Sequence, residues 1–387
     1  MNRFEKTLSE LEASTMLRSI PDETAGMIDL VSNDYLGLAT REPEFRDEFL
    51  SKYPDAQFSS SASRLLSERQ KYHKLLEESL SGLYGKSILL FNSGFHANEG
   101  ILSALGNENT TFLTDSMMHA SGWDGLMLAQ FHRKAEMKIF PHNDMEALEG
   151  MIKDIHKKGP KREIIIVTES IFSMDGDLAP LSRLVEIKNR YPQTLLYLDE
   201  AHGFGVRGKN GLGLAEEEGL ISEVDILIGT FGKAGASMGA FVATTREIRD
   251  FLLNKARSFI FSTALPPINV AWSHFMLGKI LDMERERGHL KRLSKEFGQG
   301  INALAPVYRP HTGDSQIIPF VCGDAALAVK MAARLRENGY NVLPIRRPSV
   351  PRGGERLRLS LNASLSLDQL IPLSGLIEDF IKEESSR

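Results

Sequence analysis

Cysteine is nearly absent from this sequence, because Cys322 is the only one among 387 residues. A single cysteine cannot form an intramolecular disulfide, and such scarcity is typical of a reducing compartment. The N-terminal stretch, MNRFEKTL, carries an acidic residue early and lacks the apolar core of a signal peptide. No apolar run approaches the roughly 18 residues of a membrane-spanning helix. The sequence therefore predicts a soluble, cytoplasmic protein without a membrane partner.

Motifs for several functional classes are also missing. The formal net charge of −5 argues against a nucleic-acid-binding surface. Metal ligation is not expected, because there is no His-Glu-x-x-His motif and no cysteine cluster. The run from Gly229 to Lys233 is followed by alanine and lacks P-loop spacing, which disfavours a nucleotide-binding enzyme. We expect no nucleophile elbow of the kind found in serine hydrolases.

The most informative segment is 225–234, DILIGTFGKA, in which an apolar run with strand character ends at Lys233. A lysine at the end of a buried strand is poorly solvated, which disfavours its ammonium form and favours a nucleophilic amine. Such an amine can form a Schiff base with an aldehyde cofactor or a carbonyl substrate. Because most lysines after strands are solvated surface residues, this segment alone does not identify a site.

An earlier strand-like segment, 194–198, leads into Asp199 and is followed closely by His202. An aspartate at a strand end can accept a hydrogen bond from a protonated pyridine nitrogen, which pyridoxal 5′-phosphate requires to act as an electron sink. The alternative is an ordinary turn or helix-capping aspartate. The combination of Asp199 with Lys233 and His202 favours the cofactor.

Strand-like and helix-like segments alternate along the chain, which predicts an α/β fold with a mainly parallel sheet. Functional residues should then gather at the carboxyl ends of strands. We predict an N-terminal arm at residues 1–45, a large domain at 46–267 and a smaller C-terminal α/β domain at 268–387. The pair Pro266 and Pro267 marks the second boundary, and a charged helix is predicted around 278–296. The predicted strands of the large domain are 87–92, 110–114, 138–140, 163–168, 194–198, 226–229 and 240–244.

These motifs together resemble the α-oxoamine synthase family of pyridoxal-phosphate enzymes, which have the fold type I of aspartate aminotransferase. The resemblance covers nearly the whole chain and implies a homodimer with shared active sites. The matching segments are SNDYLGL from Ser32, NSGF from Asn92, HAS from His119, FSMDGD from Phe172, DEAHG from Asp199, TFGK from Thr230, FST from Phe261 and RLRLS from Arg356.

The resemblance also implies roles for individual residues. Lys233 would bind the cofactor and act as general base, Asp199 would pair with the pyridine nitrogen, and His119 would stack on the ring. Arg358 would clamp the amino-acid carboxylate, with Arg356 as the alternative. The other residues expected at the cofactor are Gly94, Phe95, Ser173, His202, Thr230 and, from the partner subunit, Ser262 and Thr263; those expected at the substrates are Asn33 and Arg18.

The implied reaction is a decarboxylative condensation of an amino acid with an acyl thioester to give an α-oxoamine. Segments 174–181, 262–267 and 348–351 resemble members that use L-alanine and pimeloyl-CoA in biotin biosynthesis. Members that use glycine or L-serine stay as alternatives. A non-catalytic paralogue is disfavoured because Lys233 is retained.

Two segments depart from the family pattern. A glycine-rich loop is replaced by SSSASR from Ser59, and any of these residues at positive φ would be strained. The link 22–29 is also short and lacks an N-terminal hairpin. Both departures lie where the resemblance places the acyl substrate.

Overall fold

The computed structural model describes residues 2–20, 26–159, 161–304 and 315–386. Residues 22–25 of the short link at 22–29 therefore lie outside the described residues. The chain divides into two units. The larger unit comprises Leu36–Phe172 and Leu178–Arg287, and the smaller unit comprises Met1–Tyr35, Ser173–Asp177 and Gly288–Arg387. The domain boundaries given above stay a prediction.

The helices and strands are numbered in chain order. The helices are α1 Arg3–Ala13, α2 Glu42–Lys52, α3 Lys71–Tyr84, α4 Gly94–Leu105, α5 Ala120–Arg133, α6 Met145–Lys158, α7 Leu181–Arg190, α8 Leu214–Glu217, α9 Arg246–Lys255, α10 Arg257–Ile260, α11 Pro267–Leu281, α12 Glu284–Leu304, α13 Ala325–Glu337 and α14 Leu367–Ser385. The strands are β1 Ile28–Asp29, β2 Ser87–Phe91, β3 Thr110–Asp115, β4 Glu136–Phe140, β5 Glu163–Glu169, β6 Thr194–Asp199, β7 Ile226–Thr230, β8 Ala240–Thr244, β9 Ile317–Val321, β10 Tyr340–Asn341, β11 Pro344–Ile345 and β12 Arg356–Ser360.

The larger unit is built on a seven-stranded sheet of order β2-β8-β7-β6-β5-β3-β4. Its neighbouring strands are parallel except for β8, which is antiparallel to both β2 and β7. Consecutive residues of β5 and β7 are buried, so both faces of these strands are covered. This explains why they are continuous apolar runs rather than alternating ones. The predicted α/β class with a mainly parallel sheet is confirmed.

One glycine of the sheet is required by close packing. A Cβ added to Gly229 in β7 would lie 2.2 Å from the ring of Phe241 in β8. No side chain fits there unless the phenyl ring moves, and that ring is fully buried. The absence of a side chain at Gly229 therefore allows the Phe241 ring to pack against β7, the strand that precedes Lys233.

The predicted strands of the larger unit are confirmed, with ends that differ by at most two residues. One helix prediction is wrong. The sequence suggested a single charged helix around 278–296, whereas α11 continues to Leu281 and α12 begins at Glu284. The apolar residues of α11 keep it helical past Gly278, because Phe275, Met276 and Ile280 are all buried.

The smaller unit contains a three-stranded antiparallel sheet of order β11-β12-β9. Its central strand, β12, is buried at each of its five residues, including Arg356 and Arg358. A separate parallel pair joins β1 to β10. Among the described residues, no helix combines the length and apolar character needed to cross a membrane.

Candidate active site

The carboxyl ends of three adjacent parallel strands meet at one cavity of the larger unit. Strands β5, β6 and β7 end at Glu169, Asp199 and Thr230, and the cavity they border has a volume of about 170 Å³. Side chains that follow parallel strands converge at such an edge, as the sequence analysis expected. The cavity is lined by Gly94, Phe95, Asn98, His119, Ser121, Glu169, Asp199, Ala201, His202, Thr230, Gly232 and Lys233.

Lys233 lies in a tight loop between β7 and β8. The Phe231 N–H donates to the Gly239 carbonyl at 2.9 Å, and the Ala236 N–H donates to the Lys233 carbonyl at 3.0 Å. The Lys233 side chain is half-buried, and its Nζ lies 2.7 Å from Nε2 of His202. The loop thus holds the amine at the cavity in contact with a buried imidazole.

Asp199 is buried, and each of its carboxylate oxygens accepts a hydrogen bond. Oδ1 accepts from the Ala201 N–H at 2.8 Å, and Oδ2 accepts from Asn98 Nδ2 at 2.7 Å. These bonds fix the carboxylate plane at the cavity wall.

Helix α4 presents its N-terminus to the cavity. The Ser93 hydroxyl accepts a hydrogen bond from the N–H of His96 and so caps the helix. In the described part of the chain, no hydrogen bond engages the N–H groups of Gly94 and Phe95. Unpaired N–H groups in the first helical turn favour an anion. The hydroxyl of Thr230, which Gly94 faces, accepts from the Gly232 N–H at 3.2 Å.

His119 is the N-cap residue of helix α5 and also lines the cavity. Its Nδ1 accepts from the Ser121 N–H at 3.2 Å, and its own backbone N–H donates to Glu169 Oε1 at 2.6 Å. Burial lowers the pKa of the His119 imidazole. Burial, reinforced by the charge of Asp199, raises the pKa of the Glu169 carboxyl to about 8. At neutral pH both groups are therefore mainly uncharged.

Ser262 and Thr263 belong to the larger unit but do not line this cavity. Asn92 Nδ2 donates to Ser262 Oγ at 2.9 Å and to the Thr263 carbonyl at 2.7 Å. The two residues thus sit beside the end of β2. Their expected contribution to a partner's cofactor stays a prediction.

Arg358 forms a second polar cluster, within the smaller unit. Its guanidinium donates to the Ser173 carbonyl, to Asn33 Oδ1 at 3.1 Å, to Ser360 Oγ and to the Tyr35 hydroxyl at 3.2 Å. It is buried, and no carboxylate pairs with it among the described residues. The expected cofactor contact of Ser173 stays a prediction.

Arg356, the alternative carboxylate clamp, is already neutralised. Its Nη1 lies 2.7 Å from Asp175 Oδ1, and both side chains are more than nine-tenths buried. It also donates to the carbonyls of Met174 and Gly354. Of the two arginines on β12, Arg358 is thus the one whose positive charge has no counter-ion within the described part of the chain.

Arg18 lines a second cavity, which belongs to the smaller unit and has a volume of about 740 Å³. Its guanidinium donates to the Ser349 hydroxyl at 3.2 Å. The lining combines apolar residues with charged ones: Leu8, Leu11, Met16, Leu17, Ala325 and Pro348 with Arg18, Arg347, Arg352, Asp324 and Glu355.

Comparisons with known proteins agree with this geometry. Residues 25–373 match the family model described as aminotransferase class I and II. A Pasteurella multocida protein named "Putative 8-amino-7-oxononanoate synthase" is 44% identical over 95% of this chain and 96% of its own length. The chain belongs to the α-oxoamine synthase family of pyridoxal-phosphate enzymes. It is a transferase of the 8-amino-7-oxononanoate synthase kind.

Solved structures of this family have the same fold. Serine palmitoyltransferase from Sphingomonas wittichii aligns with a TM-score of 0.88 and 28% identity, covering 99% of this chain and 98% of that one. The 8-amino-7-oxononanoate synthase of Francisella tularensis aligns with a TM-score of 0.75 and 27% identity, covering 93% and 99%. A further SPT structure contains pyridoxal phosphate as an internal aldimine. The predicted fold type I and the predicted cofactor are confirmed.

The cavity fits pyridoxal phosphate chemically. The cofactor needs an amine for its aldehyde, a carboxylate for its ring nitrogen and donors for its phosphate. Lys233, Asp199 and the N-terminus of α4 offer these three groups around one cavity. The assignment of each residue to its cofactor atom stays a prediction.

Three polar residues of the cavity were missed in the sequence. Asn98 lies four residues after Gly94 on α4, so helical spacing could have placed it on the same face. Glu169 ends β5, and the rule that functional residues follow strands could have found it. Ser121 lies two residues after His119 in a segment already singled out.

Two glycine-containing segments match the residue patterns of motifs from other enzyme classes, but not the structures in which those motifs occur. Segment 203–208, GFGVRG, fits the dinucleotide pattern, but it forms turns after β6 and no helix follows it directly. Segment 235–239, GASMG, fits the serine-hydrolase pattern, contrary to expectation. It lies between strands β7 and β8, and its Ser237 hydroxyl pairs with that of Ser273 at 2.8 Å. Neither run has the structural context of its motif.

Proposed function

We propose that this enzyme condenses L-alanine with pimeloyl-CoA to give 8-amino-7-oxononanoate, with release of coenzyme A and carbon dioxide, in biotin biosynthesis. The observation that carries the proposal is the 44% identity, over nearly the full length of both chains, to a relative with that name. The serine palmitoyltransferase that aligns with this fold is only 28% identical. Serine palmitoyltransferase-like activity and 2-amino-3-ketobutyrate CoA ligase activity are the alternatives.

Bound pyridoxal phosphate would supply the electron sink that stabilises a carbanion at the amino-acid α-carbon. Asp199 would hold a proton on the ring nitrogen through a charge-assisted hydrogen bond. The Gly94 and Phe95 N–H groups would bind the phosphate. The Thr230 hydroxyl would join them by turning its hydrogen away from the Gly239 carbonyl, to which it donates at 3.0 Å. His119 would pack on the ring.

Lys233 would bind the cofactor aldehyde in the resting enzyme and act as general base once the amino acid replaces it. The amine would then accept the α-proton of alanine. His202, 2.7 Å from Lys233 Nζ, would keep the amine oriented during this step. Two loop contacts made by Phe231 and Ala236 limit the positions that the lysine can reach.

Arg358 would bind the alanine carboxylate. A buried guanidinium without a carboxylate is costly, and a substrate carboxylate would neutralise it. Asn33 and Tyr35 would keep the guanidinium plane fixed, because each accepts one of its N–H groups. Four of the five guanidinium N–H groups are engaged in these contacts, and the remaining N–H on Nη2 would donate to the substrate carboxylate.

The cavity around Arg18 fits the acyl donor. Its leucines can cover a methylene chain, while Arg18, Arg347 and Arg352 outnumber Asp324 and Glu355. Pimeloyl-CoA has a carboxylate at the far end of a short chain. The excess of positive charge in the lining would favour binding of that carboxylate.

A homodimer would complete the site. Four exposed aromatic or methionine side chains lie on or beside helices α4, α5 and α10, which pack together: Phe95, Met127, Phe131 and Phe261. Phe131 is 83% exposed in one chain. A second copy that covers this surface would place Ser262 and Thr263 near the partner's cofactor.

The decisive assay compares amino acids and acyl donors on the purified holoenzyme. L-alanine, glycine and L-serine are each combined with pimeloyl-CoA, palmitoyl-CoA and acetyl-CoA, and thiol release is followed. Product mass identifies the α-oxoamine. Selective release with alanine and pimeloyl-CoA supports the proposal, whereas a preference for serine with palmitoyl-CoA or glycine with acetyl-CoA overturns it.

The shared site is tested by mixing two inactive variants, Lys233→Ala and a Ser262→Ala/Thr263→Ala double variant. Heterodimers that share sites across the interface would regain about one wild-type site, since one of their two sites carries neither change. Restored thiol release supports the dimer. No recovery in mixed dimers isolated by two affinity tags would contradict it.

A further inference from the structure

A continuous hydrogen-bond network runs along the cavity wall from Tyr197 to His119. The Tyr197 hydroxyl lies 2.6 Å from Asn98 Oδ1. Asn98 Nδ2 lies 2.7 Å from Asp199 Oδ2 and 2.9 Å from Ser121 Oγ. Ser121 Oγ in turn lies 2.7 Å from His119 Nδ1. Four of these residues are fully or almost fully buried: Asn98, Ser121, Tyr197 and Asp199.

The direction of each bond in this network follows from chemistry. The Asp199 carboxylate can only accept, so the Asn98 amide nitrogen faces it and donates. The second hydrogen of the same nitrogen points to Ser121 Oγ, which therefore accepts it. Asn98 Oδ1 is left to accept from the Tyr197 hydroxyl. The single hydrogen of the Ser121 hydroxyl then has His119 Nδ1 as its acceptor.

A backbone contact independently indicates that His119 Nδ1 is a hydrogen-bond acceptor. The Ser121 N–H, which can only donate, points to His119 Nδ1 at 3.2 Å. Nδ1 therefore carries a lone pair, and the imidazole hydrogen is on Nε2. In the described part of the chain, no hydrogen bond engages His119 Nε2, while the ring borders the cavity.

We propose that Asn98 and Ser121 are positioning residues that hold His119 as its neutral Nε2–H tautomer, so that it donates from Nε2 to an oxygen acceptor of the substrate. Asn98 acts through polarity, because its donated hydrogen occupies a lone pair of Ser121 Oγ and keeps the hydroxyl hydrogen from pointing toward Asn98. The same amide orients Asp199, so one side chain sets two groups of the cavity. The inference rests on the proposed function only for the identity of the acceptor.

The charged groups around His119 come from several elements. Asp199 on β6 and Asp124 on α5 favour the imidazolium, Lys233 disfavours it, and burial disfavours it most. Glu169 on β5 accepts the His119 backbone N–H. Removal of the serine hydroxyl would leave the Ser121 backbone N–H, at 3.2 Å, as the donor to Nδ1, so the loss of the shorter contact at 2.7 Å should weaken the preference for the Nε2–H form.

The test uses ¹⁵N-histidine-labelled enzyme and two-bond ¹H–¹⁵N correlation spectra, with and without pyridoxal phosphate. Comparison with His119→Asn assigns the ring signals. Wild type should show hydrogen on Nε2 alone at neutral pH. Ser121→Ala keeps the backbone donor to Nδ1, so it should admit only a minor fraction of the Nδ1–H form and raise the pH midpoint of the ring by about one unit. Asn98→Asp should change the tautomer and the midpoint in the same direction.

Matched variants separate polarity from packing. Ser121→Thr keeps the hydroxyl and should restore the wild-type tautomer. Ser103→Ala, which removes a hydroxyl bonded only to the Gly100 carbonyl on the same helix as Asn98, should leave the His119 signals unchanged. The spectra report the tautomer even if the enzyme uses other substrates, so this test is independent of the substrate assignment.

Two outcomes would overturn the inference. One is a wild-type ring with its hydrogen on Nδ1, or an imidazolium at neutral pH. The other is a folded Ser121→Ala variant whose tautomer and midpoint equal those of wild type. Asn98→Asp places a second carboxylate beside Asp199; if that variant does not fold, Ser121→Ala alone decides.

Discussion

The Nζ atom of Lys233 lies 2.7 Å from Nε2 of His202, at the edge where β6 and β7 end. A hydrogen bond between two nitrogens requires one to donate and the other to accept. The amine is therefore in direct contact with a group that can take or return a proton. This places the reactive nitrogen of the cavity within an ordered pair rather than on a freely rotating side chain.

Replacement of Lys233 by alanine should abolish both the covalent link to the cofactor and turnover. No other amine lines this cavity among the described residues, so nothing can replace it. The measurement is borohydride reduction followed by peptide mass analysis, together with thiol release. Lys134→Ala, at a surface lysine with a side chain that is 78% exposed, is the matched control and should keep both. Normal turnover by the Lys233 variant would refute the assignment.

Two buried carboxyls, Glu169 and Glu200, should contribute a loss of stability as the pH rises from about 5 to 8, because they keep their protons in the folded state. Burial raises the pKa of Glu200 to about 7 and that of Glu169 to about 8, from an ordinary value of 4.5. Above that ordinary value the unfolded chain releases protons that the folded chain retains. Stability is therefore full below pH 4.5 and is lost as the pH approaches the folded pKa.

Urea unfolding of the cofactor-free protein at pH 5, 6, 7 and 8 measures this effect. Glu200→Gln keeps the acceptor for the Ala215 N–H and removes the titration. The slope of stability against pH should then become shallower between pH 5 and 7. A variant with the wild-type slope would show that Glu200 does not carry the effect.

Much of the site could be predicted because it depends on strand ends. Asp199, His202, Thr230 and Lys233 all follow buried strands, and parallel strands bring their carboxyl ends to one edge. The apolar runs that mark such strands are visible in the sequence. A local pattern was therefore enough to place these four residues around one cavity.

Other parts depend on tertiary contacts that leave no local pattern. Asn98 is chemically important because Tyr197 and Asp199 lie beside it, and both are distant in sequence. The choice between Arg358 and Arg356 likewise depends on Asp175, which pairs with only one of them. Spacing along β12 could not reveal that difference.

Replacement of Ser61 by glycine should stabilise the folded protein. Its φ is +54°, in the left-handed region, which confirms that the departure from a glycine-rich loop includes a strained position. A non-glycine residue there costs about 1–2 kcal/mol, and the extra chain entropy of glycine offsets about 0.5–1 kcal/mol. We expect Ser61→Gly to raise the free energy of unfolding by about 0.5–1 kcal/mol in urea titrations.

The neighbouring Ala62 is a control for this substitution. It is not among the residues with positive φ, so Ala62→Gly gains no relief and should lower stability by about 0.5–1 kcal/mol. Equal effects of the two glycine variants would mean that backbone strain at Ser61 is not the cause.

Arg358 should be required for amino-acid binding and not for cofactor binding. Its guanidinium is buried without a carboxylate partner, whereas Arg356 is paired with Asp175. Loss of a charge-assisted contact to the alanine carboxylate costs about 1.5–3 kcal/mol. Arg358→Ala should therefore raise the dissociation constant for L-alanine by about ten- to a hundredfold, as measured by titration of the cofactor's visible absorbance.

Arg358→Lys distinguishes charge from geometry at the same position. The ammonium keeps the positive charge but cannot reproduce the planar guanidinium contacts to Asn33 and Tyr35, so the affinity of Arg358→Lys for alanine should lie between those of wild type and Arg358→Ala. The absorbance of the bound cofactor before alanine is added should be the same in all three proteins. An unchanged affinity in Arg358→Ala would instead assign the clamp to Arg356, which would have to exchange Asp175 for the substrate carboxylate.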